Sequence, residues 1–447
     1  MAVAVFAGCG GSSSSPSGML PNLSSLRANR SSPIAHVVIV IQENRSFNDF
    51  FAAFPGADGT TTGKAEREPL CGVDKSGTIA LKSVNLFVPS DLIHNFAAYQ
   101  TSRNGGKMDG FDRSRNYSGK LECLFPYQYT TPSQIKPYWD LAKQYVLAEH
   151  MFQTQGSQSF TAHQDLIAGA TVVSPGEALV DVPTCDTLTC TWGCDAPPGT
   201  RTSLVSRDDV YRQGAGPFPC LKYATLRDLL DAKGVSWKYY VPPMGDTDGR
   251  LLSAFDAIRA VRYGPEWKTN VATPQTKIFK DVAKDRLPAV SWLIPDAADS
   301  DHPGDGSTDT GPSWVADVVN AIGESPEWKS TAIVILWDDW GGFYDNLNPR
   351  QYGYGSLGFR VPAIIVSPYA KRGYIAKTDY EFGSVLKYIE NNWDLGRLGT
   401  TDVRATSIID CFDYSQKPRK FTRIAVKYPE SYFLTRPPSY RPVDTDM

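Results

Sequence analysis

Short, nearly unbroken apolar runs constrain the fold of this chain more than any other feature. They are His36–Ile41, Trp237–Val241, Val290–Ile294, Ile333–Trp337 and Val361–Val366. Runs this short and this rich in β-branched residues predict strands buried on both faces. Segments with helical spacing lie between them, at Tyr138–Met151, Thr225–Lys233, Ser313–Ile322 and Phe382–Asn391. Strands of this type alternating with amphipathic helices predict an α/β fold with a mainly parallel sheet covered on both faces. Such a sheet binds ligands outside the carboxyl ends of its strands.

Polar residues gather where that rule directs attention. The first run ends in Gln42-Glu43-Asn44-Arg45-Ser46-Phe47, and Ile333–Trp337 ends in Asp338-Asp339 before Trp340-Gly341-Gly342. Val290–Ile294 leads through Pro295 to Asp301-His302-Pro303. Three strands are thus expected to bring oxygen and nitrogen ligands to one edge. Adjacent carboxylates repel unless a cation or hydrogen bonds offset them. Glu43, Asn44, Asp338 and Asp339 form a hard-ligand set suited to one divalent metal ion, whether Ca, Mg, Mn or Zn. Ser159 precedes a helical stretch in Ser159-Phe160-Thr161-Ala162-His163, where free amides attract an anion such as phosphate. Each cluster has a plainer use: Asp338-Asp339 could cap a turn, Glu43-Asn44 could precede a helix started by Ser46, and Ser159 could be an N-cap. Their coincidence at strand ends favours a site.

Composition narrows the function classes. With 45 basic against 48 acidic residues the net charge is −3, which provides no field for nucleic acid and no polybasic membrane patch. Residues 1–9 are apolar up to Cys9, and residues 10–32 form a Ser-rich linker. This pattern resembles a bacterial lipoprotein export signal, with Cys9 as a candidate lipid anchor, although a charged leading stretch is missing. The protein is therefore expected to be exported to the periplasm, cell envelope or extracellular space. No other segment is apolar for long enough to give a transmembrane helix. Residues 33–447 are read as one catalytic domain, with a Cys-rich insertion at 185–220 and an extended C-terminal arm at 416–447. Cys71, Cys123, Cys185, Cys190, Cys194 and Cys220 make an even six. Disulfides fit better than zinc, because no histidine lies near Cys185, Cys190 and Cys194. Cys411 is left as a buried thiol.

Several motifs, in order, resemble the bacterial phosphoesterase family that includes non-specific phospholipases C and acid phosphatase A. They are Gln42–Phe47, Gly106-Lys107-Met108-Asp109-Gly110, Ser159–Gln164, Asp301-His302-Pro303, Trp337–Asp345 and Arg360-Val361-Pro362 leading to Ser367-Pro368. The resemblance covers about residues 33 to 415. It implies an alkaline-phosphatase-like α/β/α sandwich and a hydrolase of phosphoric esters, phospholipid headgroups included. By the same resemblance Glu43, Asn44, Asp338 and Asp339 hold the metal, and Ser159 attacks phosphorus to form a phosphoserine. His94 and His302 match histidines near the phosphoryl group. His163, one turn beyond Ser159, is a further catalytic candidate, whereas His36 at a strand start and His150 on a helix are read as structural.

This chain departs from the family pattern at Asn346, where many relatives have histidine, at Glu381-Phe382-Gly383-Ser384 in place of His-Thr-Ser, and at Thr161 in place of proline. The departures bear on the leaving group and the substrate. Alternatives within reach are a sulfate or phosphonate ester hydrolase on the same scaffold, or an exported binding lipoprotein without turnover.

Overall fold

The computed structural model describes residues 1, 32–74, 76–184, 191–304, 308–353 and 356–437. Cys9, the Ser-rich linker up to residue 31, Cys185 and Cys190 lie outside these. The central sheet has eight strands: β1 (His36–Gln42), β2 (Val146–Ala148), β5 (Trp237–Tyr240), β6 (Val271–Ala272), β7 (Val290–Leu293), β8 (Thr331–Trp337), β9 (Ala363–Val366) and β10 (Tyr374–Ala376). Strands β3 (Glu177–Thr184) and β4 (Arg201–Ser206) belong to a smaller four-stranded antiparallel sheet. The central order is β6-β5-β7-β1-β8-β9-β2-β10, with β9 antiparallel to both neighbours and all other pairs parallel. Every residue of β1 and β8 is buried, as their continuous apolar runs predict.

Helices cover both faces of this sheet, which bears out the α/β/α sandwich. On one side are α3 (Lys136–Gln144) and α6 (Gly311–Glu324); Tyr138 of α3 meets the Trp337 ring edge-on at 4.9 Å. On the other are α4 (Ser159–Ala168) and α7 (Phe382–Trp393), and Trp292 of β7 donates its indole N–H to Leu166 O at 3.2 Å. Shorter helices are α1 (Phe47–Phe51), α2 (Phe96–Arg103), α5 (Leu226–Ala232) and α8 (Glu430–Thr435). Ser46 caps α1 by accepting the Asp49 N–H, so part of the plainer reading of the Glu43–Ser46 segment also holds.

One expected helix ends early. The segment Tyr138–Met151 is helical only to Gln144; Val146-Leu147-Ala148 then enters the sheet beside β9 and β10. Apolar spacing fits either element, and burial between two strands decides the outcome. His150 therefore sits beyond a strand, not on a helix, with Nδ1 3.1 Å from Asp379. Disulfides link Cys71 to Cys123 and Cys194 to Cys220, which removes Cys194 from any zinc site, and Cys411 is a buried free thiol. The arm after residue 416 is not extended throughout. It contains α8, whose Phe433 packs on Trp314 at 5.5 Å. Among the described residues no helix is long and apolar enough to cross a membrane.

Candidate active site

Strand register explains why two distant carboxylates meet. Gln42 of β1 pairs in parallel with Trp337 of β8, so Glu43 and Asp338 follow side by side. Side chains alternate along a strand. Gln42 and Trp337 both face Tyr138, so the next residues face the opposite side, towards α4. The chain there takes a left-handed turn at Asn44 (φ 58°), whose N–H donates to Asp338 Oδ1 at 2.9 Å. Asn tolerates this backbone better than most residues. Gly341 (φ 59°) packs so tightly that an added Cβ would lie 2.1 Å from Asn44 O, and its N–H donates to Asp339 Oδ1 at 2.7 Å. Here the Gly-Gly turn is required by close approach as well as by φ.

Ser159 is the first residue of α4, at the helix end where backbone amides remain free. Its Oγ lies 3.3 Å from Asp339 Oδ2 and 3.4 Å from Asn44 Oδ1. The Asn44 amide is oriented by His94. His94 Nδ1 lies 2.6 Å from Leu92 O, to which it donates, so Nε2 accepts from Asn44 Nδ2 at 2.9 Å. That arrangement turns Asn44 Oδ1 towards Ser159. His94 Nε2 also lies 3.5 Å from Asp339 Oδ2.

His163, one turn along α4 from Ser159, points at the carboxylates: its Nε2 is 3.0 Å from Glu43 Oε1 and 3.8 Å from Asp338 Oδ2. Ligand atoms of Glu43, His163 and Asp338 all lie within 4.8 Å of one another, and all three residues are buried. Glu43 Oε2, Asp338 Oδ2 and His163 Nδ1 have no hydrogen-bond partner. Burial, and next the charge of Asp338, push the Glu43 carboxyl well above its usual range. Burial lowers His163 to about 4, so the imidazole is neutral and offsets neither charge. Two crowded carboxylates with orphaned oxygens beside a neutral imidazole suit a divalent cation. The most compact ligand group thus includes His163, while Asn44 and Asp339 lie beside it and bracket Ser159.

His302 is buried, with Nδ1 2.5 Å from Pro303 O and Nε2 without a partner. Burial lowers it to about 3, and the charge of His94 adds to the effect. Asp301 is not part of the cluster. Its carboxylate accepts from Tyr138 at 2.6 Å and Gln42 at 3.2 Å on the other face of the sheet. Asn346 and Glu381 serve packing: Asn346 Oδ1 accepts from the buried Arg360 at 2.7 Å, and Glu381 is bound by Arg404 at 2.8 Å. Asp109 is held within its own turn by Asn104 at 2.8 Å. His36 Nδ1 is 3.0 Å from Pro288 O, in keeping with a structural role.

Two residues near the site had no signal in the sequence. Tyr117 meets the His94 ring edge-on at 6.2 Å, and its hydroxyl accepts from Gln158 at 3.1 Å. Asp181, on β3, bonds to both flanks of Ser159 through Ser157 (2.6 Å) and Thr161 (2.9 Å). Neither lies in a motif or at an end of the central sheet.

Fold and site together define an α/β protein with a serine, carboxylate and histidine centre at the carboxyl edge of a parallel sheet. The sequence model of the Phosphoesterase family matches residues 34–396, and the chain belongs to that family. It is similar to the non-hemolytic phospholipase C of Pseudomonas aeruginosa, 24% identical over 404 residues that cover 80% of this chain and 54% of that one. It is also similar to phospholipase C A of Mycobacterium tuberculosis, 23% identical over 410 residues covering 80% of this chain and 72% of the relative. The chain thus spans about half the length of the Pseudomonas relative. Among solved structures, a protein in the alkaline phosphatase superfamily from Vibrio parahaemolyticus is similar over 86% of this chain and 72% of its own, at 9% identity and a TM-score of 0.37.

Proposed function

We propose that this chain hydrolyses phosphoric esters through a phosphoserine at Ser159, with one divalent cation held beside it. The observation that carries the reading is the position of Ser159 Oγ, 3.3 Å from Asp339 and 3.4 Å from Asn44, at the start of a helix. Glu43, Asp338 and His163 would hold the cation, with Asn44 and Asp339 completing its surroundings. Bound there, it would supply positive charge that favours the serine alkoxide and offsets charge on the phosphoryl oxygens.

Ser159 Oγ attacks phosphorus and passes its proton to Asp339 Oδ2 as the bond to the leaving alcohol breaks. His302 Nε2 gives that alcohol its proton; an anionic phosphoryl group nearby favours the imidazolium that burial alone disfavours. In the second step water attacks phosphorus and its proton goes to His302, while Ser159 departs and recovers its proton from Asp339. His94 acts on Asn44, keeping the amide oxygen turned towards Ser159.

Charge favours a phosphodiester such as a phospholipid headgroup over a phosphomonoester. Glu43, Asp338 and Asp339 are all acidic. Arg45, the cation next to Asn44 in the chain, is turned away to Asp49, Leu86 O and Asp301 O. A singly charged diester is repelled less there than a doubly charged monoester. The relatives named phospholipase C agree with this preference. The Cys71–Cys123 and Cys194–Cys220 disulfides support export, because such bonds persist in oxidising compartments. The test is turnover of a chromogenic choline phosphodiester, a phosphomonoester and a sulfate ester, with and without chelator. Chelator-sensitive diester cleavage that is lost in Ser159→Ala is expected, and undiminished turnover in that variant refutes the nucleophile assignment.

A further inference from the structure

Asp181 is a buried carboxylate outside the cation cluster. It lies on β3 where the register against β4 shifts between Ser203 and Arg201, and its backbone takes a left-handed φ of 58°. That irregularity turns the residue inward; it is 5% exposed. Its N–H donates to Ser157 Oγ at 2.6 Å, and its C=O accepts from Thr161 Oγ1 at 2.9 Å. Ser157 and Thr161 stand two residues to either side of Ser159. The carboxylate Oδ1 accepts from the Phe96 N–H at 2.8 Å and receives a longer bond from Ser157 Oγ at 3.5 Å. Phe96 opens α2, two residues after His94.

One residue therefore joins three points: both flanks of Ser159 and the start of the helix that follows His94. We infer that Asp181 is a positioning residue that fixes the separation of Ser159 from the His94–Asn44 pair. The inference rests on the reading of Ser159 as nucleophile. Thr161 adds to it. Where the family resemblance leads one to expect proline, this chain has a hydroxyl, and that hydroxyl is spent on Asp181.

Asparagine keeps an acceptor for Phe96, tolerates the left-handed backbone and nearly preserves shape, so geometry, not charge, is what the role requires. Alanine leaves the buried Phe96 N–H without its acceptor and frees the His94 side. Ser157→Ala cuts the nucleophile side instead and keeps the inference testable if Asp181→Ala fails to fold.

The experiment measures kcat and KM of the full-length, metal-loaded protein on a chromogenic choline phosphodiester. Asp181→Ala and Ser157→Ala are each expected to lower kcat by about 10- to 100-fold, the scale of a misplaced reacting group, with KM within about three-fold. Asp181→Asn should recover most of that loss. A kcat within two-fold of wild type in both disrupting variants overturns the inference. So does an effect confined to KM, or a loss in Asp181→Asn as large as in Asp181→Ala. A wild-type protein that cleaves no phosphoric ester overturns the parent reading and this one with it; an active wild type with indifferent variants overturns this one alone.

Discussion

Gly341→Ala tests whether the Gly-Gly turn is a precision part of the site. The new Cβ would lie 2.1 Å from Asn44 O and 2.6 Å from Asn44 C, with φ at 59°. Both obstacles are backbone atoms, so no rotamer change relieves them, and the approach is short of ordinary contact by more than about 1 Å. The left-handed backbone adds about 1–2 kcal/mol for a residue with a Cβ. Relief requires Asn44 to retreat from Gly341, and Asn44 carries the bonds to Asp338, His94 and Ser159. A displacement of about 1 Å at such a position costs roughly 100-fold in turnover. The assay is steady-state hydrolysis of a choline phosphodiester beside a thermal melt. The expected result is a kcat lower by about two orders of magnitude, with a melting temperature that falls only by the amount a strain of a few kcal/mol gives. Turnover within two-fold of wild type would refute the reasoning, because the site would then tolerate movement of Asn44.

Removing the cation should weaken the fold as well as the activity. Chelation is expected to lower the melting temperature, and re-adding a divalent ion at 100 times its dissociation constant should restore about 2.7 kcal/mol; His163→Ala should weaken that response at least tenfold, and the absence of any shift in wild type would count against the cluster. Stability should also depend on pH through Asp181, whose carboxyl burial raises to about 7. Its neutral form is the favoured one in the fold, so its contribution is fully present below about pH 4 and is lost as pH rises through about 7. Asp181→Asn should therefore gain on wild type by up to about 4 kcal/mol between those limits. Denaturant midpoints that differ equally at both pH values would contradict this.

Much of the fold was legible because buried parallel strands leave unbroken apolar runs, and β1, β7 and β8 each match one to within a few residues. The candidate site was legible at the ends of β1 and β8 only as a meeting of carboxylates, where register brings Glu43 and Asp338 together. Face was not legible. Asp301 follows β7 and reads as a ligand, yet it turns to Tyr138 and Gln42. His163 was legible in part: it reads as one turn beyond Ser159, and that helix phase carries it to Glu43 and Asp338. Asp181 depends on a bulge in the smaller sheet, and a single irregular residue leaves no periodic trace. The helix expected over Tyr138–Met151 failed for a related reason: Val146-Leu147-Ala148 is apolar enough for either element, and only its neighbours β9 and β10 make it a strand.

The central claim is that Ser159 becomes covalently phosphorylated during turnover. Acid quenching of the metal-loaded protein while it consumes a phosphodiester, followed by peptide mass spectrometry, tests it most directly. A single phosphoryl group on the peptide carrying Ser159, absent without substrate and absent in Ser159→Ala, is the expected result. Continued turnover with no phosphorylated peptide, or with the group on another residue, would contradict it.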